Sequence, residues 1–513
     1  VAAENNKRIA KNTFFLYIRM LLTMGVSLYT VRVVLKTMGV VDYGIYNVVG
    51  SIVTMFSFLS NTMSSASQRF FAFEIGQGNR DQLKRTFSTT MTIYLLIALV
   101  ILLFAETVGL WFLNNKLAIP ADRMEAAHWV YQFSILSLMM TMFTVPYNAA
   151  IIAHENMKVY AYVSIIEVLL KLAIVYLLVL FSFDKLELYG ILTFSVTCIV
   201  TLIYRTYCQR RFEECRFLFY WDKQLFNKIL SYSGWNLFGA LSSVGKNHGV
   251  NILINIFFGP AVNAARGVAY QVQSVVLNFG NNFFTAVRPQ IIKSYASDKH
   301  EEMTQLVFQS TKFSFYLLFL LSLPILLEAR FVLGLWLEEV PAYSVTFIRL
   351  IVIDTLLELL VNPIVTLNQA TGKVKWYQIV VGGTRLLCLP IAYLFLRLGF
   401  GAEIVFYILI SNTVVCNMLR VIMIKRAVEF SIANYVREVV LVLALVSIIS
   451  YIIPKLIQEY LIGRSPIESL LMLFISSSCC MLTIAVFGLR KEERTYVISI
   501  VSTKLRKRTK VLV

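Results

Sequence analysis

Residues 146–176 read PYNAAIIAHENMKVYAYVSIIEVLLKLAIVY: the end of one apolar run, a polar turn at His154-Glu155-Asn156, and a second apolar run with Glu167 and Lys171 set inside it. The same frame returns downstream. Pro363, Lys375, Tyr377 and Tyr393 each stand 217 positions after Pro146, Lys158, Tyr160 and Tyr176. Gly259 follows Gly39 by 220, Arg288 follows Arg69 by 219, and the Gly-Leu-Trp of 109–111 recurs at 334–336. Drifts of a few positions are what loop insertions produce in a duplicated chain. The matched Pro, Gly, Lys and Trp are what sets this apart from the Leu and Ile that any two apolar helices share by chance.

The frame sits in a chain of 513 residues that is 58% hydrophobic, with a mean hydropathy of +0.71. A water-soluble protein has no place for that much apolar side chain, because its surface must stay wetted. Apolar runs of about 20 residues, enough to cross a bilayer, recur from end to end. The reading is an all-α integral membrane protein with about fourteen spans. Six fall near 13–35, 44–67, 87–113, 127–152, 159–181 and 188–208, and six more near 229–257, 262–287, 307–332, 342–367, 376–397 and 402–424. Two further spans lie near 437–453 and 467–488.

That pattern predicts an N-terminal six-helix lobe over 1–208, a basic linker over 209–228 and a C-terminal six-helix lobe over 229–426. Two additional helices over 427–490 and a basic tail over 491–513 complete the chain. An even number of spans in each half makes the repeat parallel, with its pseudo-twofold axis along the membrane normal. Lys and Arg gather in the connections on one side: Arg80, Lys84 and Arg85; Arg205 to Lys228; Lys425 and Arg426; and Lys504 to Lys510. This places that side, with both termini, in the cytoplasm. The first run, after Lys7-Arg8-Ile9-Ala10-Lys11, reads as an uncleaved span: it is too long for a signal peptide and has no small-residue cleavage site.

The net charge of +18 would suggest nucleic acid in a soluble protein, but in a polytopic one it belongs to cytoplasmic loops, and no nucleic-acid partner is expected. The seven cysteines have neither disulfide nor zinc spacing. His154-Glu155-x-x-Lys158 lacks the second histidine of a zinc protease motif. No phosphate loop, nucleophile elbow or paired catalytic carboxylate is present, so no enzyme, metal or cofactor is expected.

Ionisable groups inside a span cost roughly 2.5–3.5 kcal/mol each on insertion scales and so face a cavity or a partner. Arg19, Lys171, Lys246, His248 and Arg385 stand inside spans, against the acids Glu106, Glu167, Asp354 and Glu358. Glu167 and Lys171 are four apart in the order that favours an ion pair, structural or functional alike. Arg32, Arg266 and Glu106 are near enough to span ends to snorkel. Arg19, Lys246 and Arg385 have no partner within a helical turn, which predicts a cationic, hydrated cavity between the halves for an anionic substrate. Asn247 and Asn251 could line it and bond sugar hydroxyls, or serve helix packing. Asp354 and Glu358, like charges four apart, with Glu167 are candidates for ion coupling; Arg349 or Arg385 could equally pair with them. The frame repeats while the charges do not, which suggests that the charges serve an asymmetric substrate.

Several stretches together resemble the Wzx-type polysaccharide flippases of the multidrug/oligosaccharidyl-lipid/polysaccharide exporter superfamily. They are Asn5 to Thr13, Leu35-Lys36-Thr37-Met38-Gly39 through Tyr46, Gly76 to Arg85, and Ala153-His154-Glu155-Asn156-Met157-Lys158. The resemblance covers the first twelve spans. It implies a carrier that alternately opens to each face of a bacterial plasma (inner) membrane. The cargo would be undecaprenyl-diphosphate-linked oligosaccharide, moved from inner to outer leaflet for O-antigen (lipopolysaccharide), capsule or another polysaccharide. A proton or sodium ion would be the coupling ion, and membrane lipids and other polysaccharide-assembly proteins the partners. Cationic residues would meet the diphosphate; Arg19, Lys171, Lys246 and Arg385 are candidates by position. The alternatives are a drug or cation antiporter of the same superfamily, which predicts an acidic cavity, and a membrane-embedded polymerase or ligase, which predicts a large outer loop.

Overall fold

A computed structural model describes residues 2–54, 57–117, 119–218, 220–337, 340–460, 465–489 and 494. The basic tail expected over 491–513 lies, Arg494 apart, outside the described residues, as does the side chain of Arg32.

Every described element is helical, as lipid demands: a chain that leaves water must satisfy its own amides, and a helix does so within one segment. In chain order the helices are α1 (Ala2–Thr54), α2 (Ser57–Gln77), α3 (Arg80–Phe104), α4 (Leu110–Lys116), α5 (Met124–Ala153), α6 (Met157–Leu180) and α7 (Lys185–Arg211). They continue as α8 (Lys223–Ala296), α9 (His300–Leu327), α10 (Ala329–Trp336), α11 (Ser344–Leu360), α12 (Asn362–Thr371), α13 (Val374–Arg397) and α14 (Glu403–Ala427). The last are α15 (Ile432–Tyr435), α16 (Leu441–Tyr460) and α17 (Pro466–Thr483). Eleven helical stretches among the described residues are long and apolar enough to cross a membrane. That number treats α8 as one, although α8 breaks at Gly259, and it omits the arms of α1 on either side of Gly39. Outward-facing apolar side chains such as Leu103 (60% exposed), Val179 (64%) and Phe474 (67%) would be untenable in water on this scale and mark the lipid-facing surface. This is a multi-pass membrane protein.

Helix starts follow local rules. Asn79 accepts from the Gln82 amide, Asp184 from Leu186 and Glu187, and Asp222 from Gln224 and Leu225. Ser465 and Glu468 form a reciprocal capping box. These side chains take up donors that the first turn leaves free.

The internal repeat reaches the backbone. Gly39 (φ 82, ψ 170) and Gly259 (φ 78, ψ −176) break their helices with one shared conformation, open essentially only to glycine. Glu155 (φ 61) and Gly372 (φ 77) are a second such pair, 217 apart, and Gly78 (φ 73) and Asp298 (φ 56) a third, 220 apart.

The chain forms two compact units. The first comprises 1–241, 285–302 and 369–379, and the second 242–284, 303–368 and 380–513. The first is built around Phe70, Tyr94, Val130 and Tyr131 and around Phe71, Phe87, Tyr147 and Tyr204. In the second, the Phe347 and Phe406 rings lie 4.3 Å apart. There the last helices are tied in by Tyr316, whose hydroxyl donates to the Gly488 carbonyl (2.8 Å), and by Gln458, which donates to Glu328 (2.6 Å).

Candidate substrate site

In the first unit, α1, α6 and α7 bring polar groups together. The Arg19 guanidinium lies 4.6 Å from the centre of the Tyr160 ring, a cation–π contact. Its Nε is buried without a hydrogen-bond partner among the described residues. Arg19, Tyr160 and Glu167 all act electrostatically on Tyr204. Lys171 donates to Glu167 at 2.6 Å, and with side chains 46% and 35% exposed this i,i+4 pair is a local one. Among the described residues, Arg19 is therefore the cation of this group without an acid bonded to it.

The second unit holds a denser cluster. Arg385, partnerless along its own helix, donates through Nη1 to Ser243 (2.5 Å) and through Nη2 to Glu358 (3.0 Å). Asp354 is buried and accepts from the Thr413 hydroxyl at 2.5 Å. Lys246 is buried within electrostatic reach of both Glu358 and Asp354. Arg420, also buried, donates to Asn417 (3.1 Å) and acts on Glu358. Asn412 and Asn417 close off the carbonyls of Thr384 and Leu357. Three cations thus surround two acids. The space that the three cations line with Glu358 and Thr413 is only about 10 Å³, room for about one water.

Of the residues singled out from sequence, the second unit joins Lys246, Arg385, Asp354 and Glu358. His248, two positions from Lys246, is exposed and stands on the opposite side of the helix. Asn251 and the Asn247 carbonyl instead receive Arg266, at 2.8 Å each. Arg266 does not snorkel: it is 7% exposed and lies 3.9 Å from the Tyr270 ring. Arg349 bonds the Leu326 and Leu327 carbonyls, which leaves Arg385 as the partner of Glu358. Sequence reading placed the span of α14 but missed its part in this cluster. Asn412, Thr413, Cys416 and Arg420 share one helix face at i, i+1, i+4 and i+8, and that polar stripe in an apolar span was the available signal. His154 is not a ligand: its Nε2 is 2.5 Å from Glu214 and its ring stacks on Phe212 at 4.1 Å.

A MatE family profile matches residues 16–177. Solved structures align over most of the chain. An outward-facing multidrug resistance MATE family transporter of the MOP superfamily is 13% identical, covers 81% of this chain and 94% of its own, and gives a TM-score of 0.69. The fold is that of a MATE transporter. A mutant of the Vibrio cholerae MATE transporter VcmN is 17% identical over 83% of this chain and 97% of its own, with a TM-score of 0.66. A MOP superfamily transporter from Pyrococcus furiosus, described as having a binding pocket of reverse polarity that suggests a different function, is 13% identical over 80% and 94%, with a TM-score of 0.61. No curated protein matches the sequence. At these identities the structural likeness carries the MATE fold and nothing finer.

Proposed function

We propose that this MATE-fold protein is a carrier of the multidrug/oligosaccharidyl-lipid/polysaccharide exporter superfamily. Its cargo is undecaprenyl-diphosphate-linked oligosaccharide, which it flips from the inner to the outer leaflet of a bacterial plasma membrane by alternating access. The observation that supports this reading is the sign of the interior charge. Lys246, Arg385 and Arg420 outnumber Asp354 and Glu358 in the cluster of one unit, and among the described residues Arg19 has no acid bonded to it in the other. A cation surplus held away from water attracts an anion, and a diphosphate meets guanidinium groups with geometry that favours paired hydrogen bonds. Asp354, held by a hydroxyl rather than by a bonded cation, is the candidate proton carrier for coupling.

A drug or cation antiporter is the second reading, favoured by the MatE match and the multidrug structure. It requires an acid free to bind a cation. Glu358 is bonded to Arg385 and Glu167 to Lys171, which weighs against it and leaves Asp354, bonded to the Thr413 hydroxyl, as the acid this reading would use. Arg19→Gln, Lys246→Gln and Arg385→Gln, made singly, are predicted to lower surface polysaccharide at unchanged protein level. Wild-type export by all three would end the cationic mechanism.

A further inference from the structure

The connectors after α5 and α12 occupy equivalent places in the repeat and share a positive φ and the first bond of the turn. Glu155 closes α5 in the left-handed region, its amide bonding Ile152 O (2.8 Å) while Asn156 bonds Ile151 O (3.0 Å). Gly372, 217 positions on, closes α12 with a positive φ and the matching amide bond to Gln369 O (3.1 Å), while the next amide, Lys373, bonds the Thr371 hydroxyl (3.2 Å).

What fills the two turns differs. In the first, the Glu155 carboxylate is gripped by Lys293 (2.8 Å), Gln290 (2.9 Å) and Arg8. In the second the residue is glycine, and a Cβ built there would stand 3.0 Å from Arg69 Nη2. Arg69 is buried and anchored, donating through Nη2 to Ala370 O (2.7 Å) and through Nε to Gln369 O (3.2 Å). Beside it opens a cavity of about 240 Å³ lined by Lys228, Lys373, Lys375, Tyr232 and Trp235. The Lys375 ammonium stands 5.5 Å from the Trp235 ring. Among the described residues, Glu74 is the acid within electrostatic reach of both Arg69 and Lys228. Four cations, Arg69, Lys228, Lys373 and Lys375, therefore line a space the described residues do not fill.

We infer that this cavity is a binding site for a phosphate-bearing anion, which takes the role in the second turn that the Glu155 carboxylate has in the first. Arg69 is fixed in advance by the two carbonyls, and the three lysines close around the oxygens as flexible point charges. None of these residues belongs to the clusters of the proposed substrate site, so the inference stands or falls apart from that reading. The phosphate is either a lipid headgroup or a soluble phosphate.

The test uses the purified full-length chain and reads its melting temperature. In neutral-lipid nanodiscs, inorganic diphosphate is titrated; separately, phosphatidylglycerol replaces phosphatidylcholine in the disc. Lys228→Gln/Lys375→Gln changes two exposed side chains and is expected to fold. A saturable diphosphate shift whose midpoint rises at least about tenfold in the double variant supports a soluble phosphate. A phosphatidylglycerol shift lost in the double variant, without a diphosphate response, supports a headgroup. Equal responses of the double variant and wild type, no response to either anion, or the same loss in a Lys84→Gln/Lys425→Gln control would overturn the site.

Discussion

Glu155 is a side chain whose environment was hidden by its neighbours in sequence. Burial raises its carboxyl, but the charges and hydrogen bonds of Lys293, Arg8 and Gln290 outweigh that and hold it below its ordinary value of 4.5. An acid held low stabilises the fold at any pH above that ordinary value and loses the contribution as pH falls through the depressed one. Glu155→Gln is therefore predicted to lower stability by about 2 kcal/mol at neutral pH, reduced from a fully buried pair because Arg8 is half-exposed. Melting curves of variant and wild type should differ steadily from pH 6 to 8 and converge below 4.5. For Arg385, Arg385→Gln strands Glu358, whereas the double change with Glu358→Gln removes both charges. A thermodynamic cycle on the pair is predicted to give a coupling of about 1–3 kcal/mol, and additivity would contradict the contact. Sequence shows no partner for Arg385 within its own helical turn and leaves Arg349 and Arg385 as equal candidates to pair with the two acids; the choice falls to Arg385 because Glu358 is its neighbour from another helix.

At the scale of elements, the breaks at Gly39 and Gly259 divide α1 and α8 at matching points. Nothing lies within 4 Å of a Cβ built at either glycine, so the cost of a side chain there is backbone strain alone. Gly39→Ala and Gly259→Ala should each cost about 1–3 kcal/mol, read as a lowered melting temperature, and the two costs should be alike. Loss at one site only would contradict the equivalence of the repeats. These glycines were legible because both copies kept the residue. The pairs Gly78/Asp298 and Glu155/Gly372 were not, since the residue type changed while the φ angle did not. Identity matching sees a repeat only where selection kept the same side chain.

Over the whole molecule, the membrane class, the helical architecture and the repeat could be read from hydropathy and spacing, since lipid restricts a chain to so few solutions. The candidate site was half legible. Lys246, Arg385, Asp354 and Glu358 stood out as charges in apolar runs, but the sequence could not show that they meet Arg420 and Thr413 in a nearly closed cluster. The proposed function rests on the surplus of cations in these interiors, and translocation in vesicles tests it most directly. The protein is reconstituted with a fluorescent polyprenyl-diphosphate oligosaccharide, and the outward-facing fraction is quenched over time. The prediction is protein-dependent movement of the diphosphate lipid that falls several-fold in Arg19→Gln and Arg385→Gln. Efflux of a cationic dye with no movement of the lipid would contradict it.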